Sequence, residues 1–144
     1  MTRFLPLLIG VLVTTSSCTK QPPITERPEE LVTKGVSFEV YAAKDYNDPF
    51  YDNALAEVKL GIGLTNLKTN ITTVVWDTTF SFRQLRQYPQ VAQKIIIDKT
   101  LQHLPNTELL QVSKTIRYNV NGYLSMEASG EGVTSTSKLV TVSL

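Results

Sequence analysis

The sequence predicts an all-β fold in which antiparallel sheets pack as a β-sandwich. Apolar residues alternate with polar ones in several short segments, and a period of two is typical of half-buried strands. Turn-forming residues separate most of these segments, and only one short stretch has a pattern that also suits a helix. Seven or eight short strands with little helix favour a sandwich, and a closed barrel is the alternative.

The first half of the domain shows the alternation most clearly. Residues 36–42 and 56–64 carry apolar side chains at every second position, and residues 74–82 do so except at Thr78. Residues 66–70, between the second and third of these segments, predict a hairpin loop. Trp76 lies in the third segment, and we expect its large indole on a central strand, where it fills the space between two sheets.

The second half predicts a less regular series of strands. Residues 88–104, which include the triplet of isoleucines at 95–97, fit either a strand or one short helix, the helix being expected near residues 88–94. Residues 109–120 predict one long strand or two broken ones, and Asn121-Gly122 after them is typical of a tight turn with positive φ. A further strand is expected to end in a loop at residues 130–132.

The alternation also predicts the core. A final strand is expected at residues 139–144, and the whole sandwich domain is expected to span residues 33–144. The side chains expected in the core are Val40, Val58, Leu60, Ile62, Trp76, Phe80, Ile97, Tyr118 and Val140.

One turn points to a more specific kind of sandwich. The segment Leu104-Pro-Asn-Thr-Glu108 resembles the Leu-x-Pro-x-Thr turn that precedes the penultimate strand of fibronectin type III domains. That family has a tyrosine next, where this chain has Leu109, and its following connection is shorter than residues 125–137. The resemblance implies an immunoglobulin-like sandwich, and it implies no binding residue.

The first eighteen residues predict export. Arg3 precedes an apolar run at residues 4–13, which as a helix measures roughly 15 Å and is too short for a hydrocarbon core of roughly 30 Å. The pattern is typical of a signal peptide, here residues 1–17, that is removed from the mature protein. Thr15-Ser16-Ser17-Cys18 resembles the lipobox of bacterial lipoproteins, although Thr15 stands where that family more often has leucine.

The lipobox resemblance implies a lipoprotein whose Cys18 carries a diacylglycerol and an acyl chain such as palmitate. It places the protein in the bacterial cell envelope, on the periplasmic or cell-surface face of a membrane, with the outer membrane expected. Residues 18–32 then form a tether, since three prolines and no apolar period predict extended chain at roughly 3 Å per residue.

Charge and cysteine content argue against nucleic-acid binding and exclude an internal disulfide. Removing residues 1–17 from the 144 leaves 127 residues, with thirteen Lys and Arg against thirteen Asp and Glu because only Arg3 is lost. A balanced chain with scattered basic residues lacks the charge that nucleic-acid binding requires. Cys18 is the only cysteine, so the chain forms no internal disulfide.

Candidates for catalysis are few. His103 is the only histidine, and with Cys18 committed to lipid a Cys/His metal site cannot form. No Gly-x-Ser-x-Gly elbow accompanies His103, which we interpret as a half-exposed loop residue. The sequence therefore predicts no catalytic residue, no metal site and no cofactor.

The strongest candidate for a contact surface is the loop at residues 45–53. Its aromatic rings can stack on a sugar or a partner, and its acids are oxygen donors that calcium prefers, although their spacing matches no EF-hand. The alternative is a turn whose aromatics cover the end of the sandwich. The candidate contact residues are Asp45, Tyr46, Asp48, Phe50, Tyr51 and Asp52.

Together these features predict a non-catalytic binding or structural module and not an enzyme. The expected partners are the membrane, through the lipid on Cys18, and another envelope protein or a glycan. The alternative is a small protease inhibitor that presents residues 83–90, or a hydrolase that uses His103 or the acids of the 45–53 loop.

Overall fold

The computed structural model describes residues 28–143, so the predicted signal peptide, Cys18 and most of the tether lie outside the described residues. The seven strands are β1 (Val32–Tyr41), β2 (Leu55–Asn66), β3 (Thr72–Phe82), β4 (Ile95–His103), β5 (Glu108–Val120), β6 (Tyr123–Gly132) and β7 (Ser137–Ser143). Three single-turn 3₁₀ helices cover Pro49–Tyr51, Leu85–Gln87 and Val91–Gln93. Within residues 28–143, no helix has the length and apolar character needed to cross a membrane.

The strands form two sheets. The first sheet has the order β4-β1-β7, with β1 antiparallel to β4 and parallel to β7. The second sheet has the order β3-β2-β5-β6 and is antiparallel throughout. Inward-facing residues of both sheets belong to one hydrophobic cluster, so the predicted all-β sandwich is confirmed.

The alternating pattern identified the core correctly. Val40, Val58, Leu60, Ile62 and Val140 are buried. The other four expected core residues are partly buried and pack against the same cluster, and they are Trp76, Phe80, Ile97 and Tyr118.

Trp76 occupies a different position from the one expected. It lies on β3, which is an edge strand of the second sheet and not a central one. Its ring centroid is 5.6 Å from that of Phe38 in β1, and the Lys99 ammonium of β4 lies 5.0 Å from the indole. One face of the indole therefore contacts the core, while the edge position leaves the side chain partly exposed.

Two glycines of β2 allow close approach of neighbouring strands. A bulge interrupts the pairing of β2 with β3 between Ile62 and Gly63. A Cβ atom on Gly61 would lie 2.8 Å from the Ser113 hydroxyl, and one on Gly63 would lie 2.8 Å from the Thr72 methyl. Both glycines therefore leave room for side chains of the adjacent strands.

For the second half of the domain, the structure resolves one alternative and corrects one expectation. The open alternative for residues 88–104 is resolved: the 3₁₀ turn Val91–Gln93 comes first, and β4 begins at Ile95. The loop expected at residues 130–132 is wrong, because these residues continue β6 and pair with residues 111–113 of β5. Glycine tolerates the extended backbone of an edge strand, so its presence there did not mark a loop.

His103 is buried, and the expectation of a half-exposed loop histidine is wrong. It is the last residue of β4, and its Nδ1 lies 3.3 Å from the backbone oxygen of Glu108. The β4–β5 turn folds back at this point, because the Leu104 backbone N–H donates to the Glu108 carboxylate at 2.9 Å. The Nε2 atom is buried without a hydrogen-bond partner within the described chain.

The turn between β5 and β6 has the predicted geometry. Asn121 has φ 52° and Gly122 has φ 87°, and the Asn119 side chain accepts from the Gly122 N–H at 2.9 Å. This left-handed backbone favours asparagine and glycine.

We expect Gly122→Ala to lower the free energy of unfolding by about 1–2 kcal/mol, because alanine is strained at this positive φ. A Cβ there would meet no atom within 4 Å, so backbone strain is the only source of the effect. The matched control is Gly130→Ala in β6, whose Cβ would meet only an ordinary contact at 3.6 Å, with an expected change within about 0.5 kcal/mol. Urea denaturation measures both, and equal costs would contradict the strain argument.

The N-terminal segment and the 45–53 loop lie at opposite ends of the sandwich. The start of β1 pairs with the end of β4, and the Glu29 carboxylate accepts from the Thr107 hydroxyl at 3.1 Å in the β4–β5 turn. The end of β1 leads into the 45–53 loop, ten residues or roughly 33 Å away. We call the end with Glu29 the proximal end and the end with the 45–53 loop the distal end.

Candidate functional site

The acids of the 45–53 loop shape its backbone. Asp48 precedes the 3₁₀ turn Pro49–Tyr51 and accepts from the Phe50 N–H at 2.8 Å, which caps the turn. The Asp45 carboxylate accepts from the Asn47 N–H at 3.0 Å, and Asp52 pairs with Arg86 at 2.9 Å. Among residues 28–143, no group of three or more His, Cys, Asp or Glu side chains comes together to hold a metal ion.

The aromatic side chains of the loop run from the core to the surface. Tyr46 is buried with 6% of its surface exposed, whereas Phe50 is 58% exposed. Tyr51 lies between them and makes edge-to-face contacts with both, at centroid distances of 5.0 Å to Tyr46 and 5.2 Å to Phe50. The structure therefore brings the three predicted aromatics together, but only Phe50 projects strongly to the outside.

A cleft of about 200 Å³ opens beside these rings, and we call it the tyrosine cleft. The Lys44 ammonium lies over two of its rings, 5.1 Å from the centroid of Tyr46 and 5.4 Å from that of Tyr51. Glu127 of β6 contributes a carboxylate. The lining consists of Lys44, Tyr46, Tyr51, Leu85, Tyr118, Val120, Glu127 and Ser143.

Burial affects the pKa of two phenol groups in this region, those of Tyr46 and Tyr88. Burial raises the pKa of Tyr46, and the Lys44 ammonium partly opposes that rise. Burial also raises the pKa of Tyr88 strongly, with a smaller contribution from Tyr46, and the Tyr88 hydroxyl has no hydrogen-bond partner within the described chain. The acidic and basic side chains that line the tyrosine cleft are Glu127 and Lys44.

Five exposed apolar side chains belong to segments at the distal end, and together we call them the distal patch: Phe50, Leu55, Tyr123, Leu124 and Met126. Tyr123 is 83% exposed and Leu124 is 81% exposed. The Asn121 side-chain amide donates to the Phe50 backbone oxygen at 3.1 Å, which joins the loop to the β5–β6 turn. Leu55 and Leu124 line one shallow cleft of about 380 Å³.

Sequence reasoning found only Phe50 of this patch. The other four members belong to strands, and the alternating pattern assigns apolar strand residues to a core. A usable signal lay in β6, where Tyr123 and Leu124 are large apolar neighbours and so point to opposite faces of one strand. β6 is an edge strand of the second sheet, and nearly all of its residues are exposed, so side chains on both of its faces are open to solvent.

The residues considered for catalysis do not come together. His103 lies at the proximal end, whereas Asp45, Asp48 and Asp52 lie at the distal end. The segment at residues 83–90, considered for protease inhibition, is packed onto the domain, because Leu85 and Tyr88 are buried within it.

A second group of exposed apolar residues lies at the proximal end. It surrounds the β2–β3 hairpin and consists of Leu67, Ile71, Val74 and Val75. Its members are aliphatic, whereas the distal patch includes two aromatic side chains and a methionine.

Comparison with known proteins identifies no relative. The chain matches no protein-family model, and neither curated proteins nor solved structures gave a significant match. The immunoglobulin-like resemblance and the lipoprotein resemblance stay predictions.

Proposed function

We propose that the protein is a non-catalytic binding module of the bacterial cell envelope. A lipid on Cys18 holds it on a membrane, the outer membrane in our proposal, facing the periplasm or the cell surface. The distal patch contacts its partner, which we propose to be another envelope protein.

The observation that carries this proposal is the exposure of the distal patch. Exposed large apolar side chains that lie together mark sites of interaction. Leu55 and Leu124 line one cleft. Met126 shares a face of β6 with Leu124, whereas Tyr123 lies on the opposite face. Aromatic side chains and methionine are enriched at protein interfaces, and Phe50, Tyr123 and Met126 supply both types. The apolar character favours a protein over a glycan, which would require more hydrogen-bonding side chains.

The position of the patch suits an anchored protein. The chain enters the sandwich at the proximal end, where Glu29 contacts the β4–β5 turn. The predicted tether, at roughly 3 Å per residue, would reach about 30 Å from Cys18, and in our proposal the membrane lies on the proximal side, where the chain enters the domain. In this arrangement the distal patch faces away from the bilayer, and the proximal aliphatic group faces towards it.

The inhibitor and hydrolase alternatives have less support. In the segment at residues 83–90, Leu85 and Tyr88 are buried, which leaves only its other side chains, such as the exposed Arg83, to contact a protease. A hydrolase based on His103 and the distal acids would need these groups within hydrogen-bond reach of one another, and they lie at opposite ends.

Site-specific photo-crosslinking in the anchored protein tests the proposed contact. A photoreactive residue at Leu124 is expected to give a discrete adduct of higher mass in intact cells, because this side chain would lie inside the interface. The matched control is the same residue at Leu139, an exposed leucine of β7 in the other sheet. Equal labelling at both positions, or no adduct at Leu124, would argue against the distal patch as the contact.

A further inference from the structure

We infer that the tyrosine cleft is a binding site for an ammonium group, and that Lys44 occupies this site in the free protein. The inference goes beyond the proposed function, because it requires neither the lipid anchor nor a contact at the distal patch.

The position of the Lys44 ammonium marks the site. A cation within about 6 Å of an aromatic centroid is attracted by the negative face of the ring. The Lys44 Nζ meets this condition for Tyr46 and for Tyr51 at once, at 5.1 Å and 5.4 Å. The two rings are nearly perpendicular, with an interplanar angle of 89°, so they form two walls of a cage. Tyr118 also lines the cleft.

Lys44 is held weakly enough to be displaced. Its residue is exposed and follows the end of β1 in an irregular segment. Among residues 28–143, no ion pair includes Lys44, so the two rings are its main partners. A ligand cation that brings additional apolar contacts can therefore replace it.

Glu127 supplies the opposite charge. Its carboxylate lines the cleft, and its side chain is 63% exposed. The nearest cation is the Lys114 ammonium at 4.0 Å, which also donates to the Thr141 backbone oxygen at 2.9 Å. Glu127 is thus incompletely neutralised and available to a second cation. Aromatic walls with a nearby carboxylate suit quaternary ammonium and methylated lysine groups.

The size of the cleft limits the ligand to a small group. A volume of about 200 Å³ is below the 300–1,000 Å³ typical of sites for drug-sized ligands. A trimethylammonium headgroup or the end of a lysine side chain fits this space. A small anion is the opposite possibility, because Lys44 and the phenol hydroxyls would both attract it.

The sign of the effect at Lys44 separates these two possibilities. If Lys44 competes with a ligand cation, then Lys44→Gln strengthens cation binding. If Lys44 instead pairs with a ligand anion, the same substitution weakens anion binding. The matched control is Lys68→Gln, an exposed lysine in the β2–β3 hairpin at the proximal end.

Calorimetric titration of the full mature chain, made soluble by Cys18→Ser, tests the inference. The probes are choline, its neutral analogue 3,3-dimethylbutan-1-ol, Nα-acetyl-lysine methylamide and inorganic phosphate. We expect choline to bind and the neutral analogue to bind at least about fivefold more weakly, since one cation–π contact contributes roughly twofold to fivefold. The lysine derivative compared with choline shows whether a primary or a methylated ammonium is preferred.

The variants complete the test. Lys44→Gln is expected to raise the affinity for choline about threefold or more, while Lys68→Gln leaves it unchanged. Tyr51→Leu and Glu127→Gln are each expected to lower the affinity for choline about threefold to fivefold, and Glu127→Gln does so without altering the core.

The inference is overturned if choline fails to bind even to the Lys44→Gln chain, if Lys44→Gln weakens choline binding, or if phosphate alone binds. The crosslinking test at Leu124 involves none of these residues, so the two proposals can fail separately.

Discussion

Phe38→Ala is expected to lower the free energy of unfolding by about 3–5 kcal/mol. Phe38 is fully buried on β1, the central strand of the first sheet, and its ring contacts Trp76 across the core. Removing the ring leaves a cavity that the sandwich cannot fill without moving strands of both sheets. Because small domains are stable by only about 5–15 kcal/mol, this loss brings the protein close to unfolding.

Urea denaturation followed by circular dichroism measures this effect, with two controls. Phe38→Leu keeps most of the volume and is expected to cost less than about 1.5 kcal/mol. Trp76→Ala removes the other half of the same contact, but Trp76 is partly exposed on an edge strand, so we expect a cost of only about 2 kcal/mol. A cost below about 1 kcal/mol for Phe38→Ala would contradict the assigned core.

Cys18→Ser is expected to move the protein from the membrane fraction to the soluble fraction. The lipobox resemblance assigns Cys18 as the residue that carries the lipid. One acyl chain gives only marginal membrane binding, whereas several chains together give stable attachment. Loss of the thiol removes all of them, so the expected redistribution is nearly complete.

Fractionation of cells followed by mass spectrometry of the N-terminus checks this prediction. Ser16→Ala is a suitable control, because it keeps a small residue in the lipobox-like segment and leaves Cys18 in place. A soluble wild-type protein, or an N-terminus without lipid, would rule out the lipoprotein proposal. Neither result would affect the fold or the inference on the tyrosine cleft.

Local features of the sequence determined the class of fold and the positions of most strands. Alternating residues such as Val58, Leu60 and Ile62 place every second side chain on one face, and this requirement holds whichever strands become neighbours. The Asn121-Gly122 turn was equally readable, because positive φ is a preference of the two residues themselves.

Strand order was decided only by the tertiary structure. Alternation identifies the buried face of a strand but not its neighbours in the sheet, because pairing depends on contacts between distant segments. For this reason the sequence did not show that Trp76 lies on an edge strand, or that β6 continues through residues 130–132. The burial of His103 depends similarly on how the β4–β5 turn folds back.

For the two proposed sites as well, the sequence indicated one part and only the tertiary structure decided the other. The sequence indicated the 45–53 loop, since aromatic and acidic residues are dense there. It did not indicate that Leu124 would lie at the same end of the sandwich as that loop, or that Glu127 would line the tyrosine cleft together with Lys44. These partners lie more than seventy residues apart in the chain, and only the packing of β6 beside β5 brings them to the distal end.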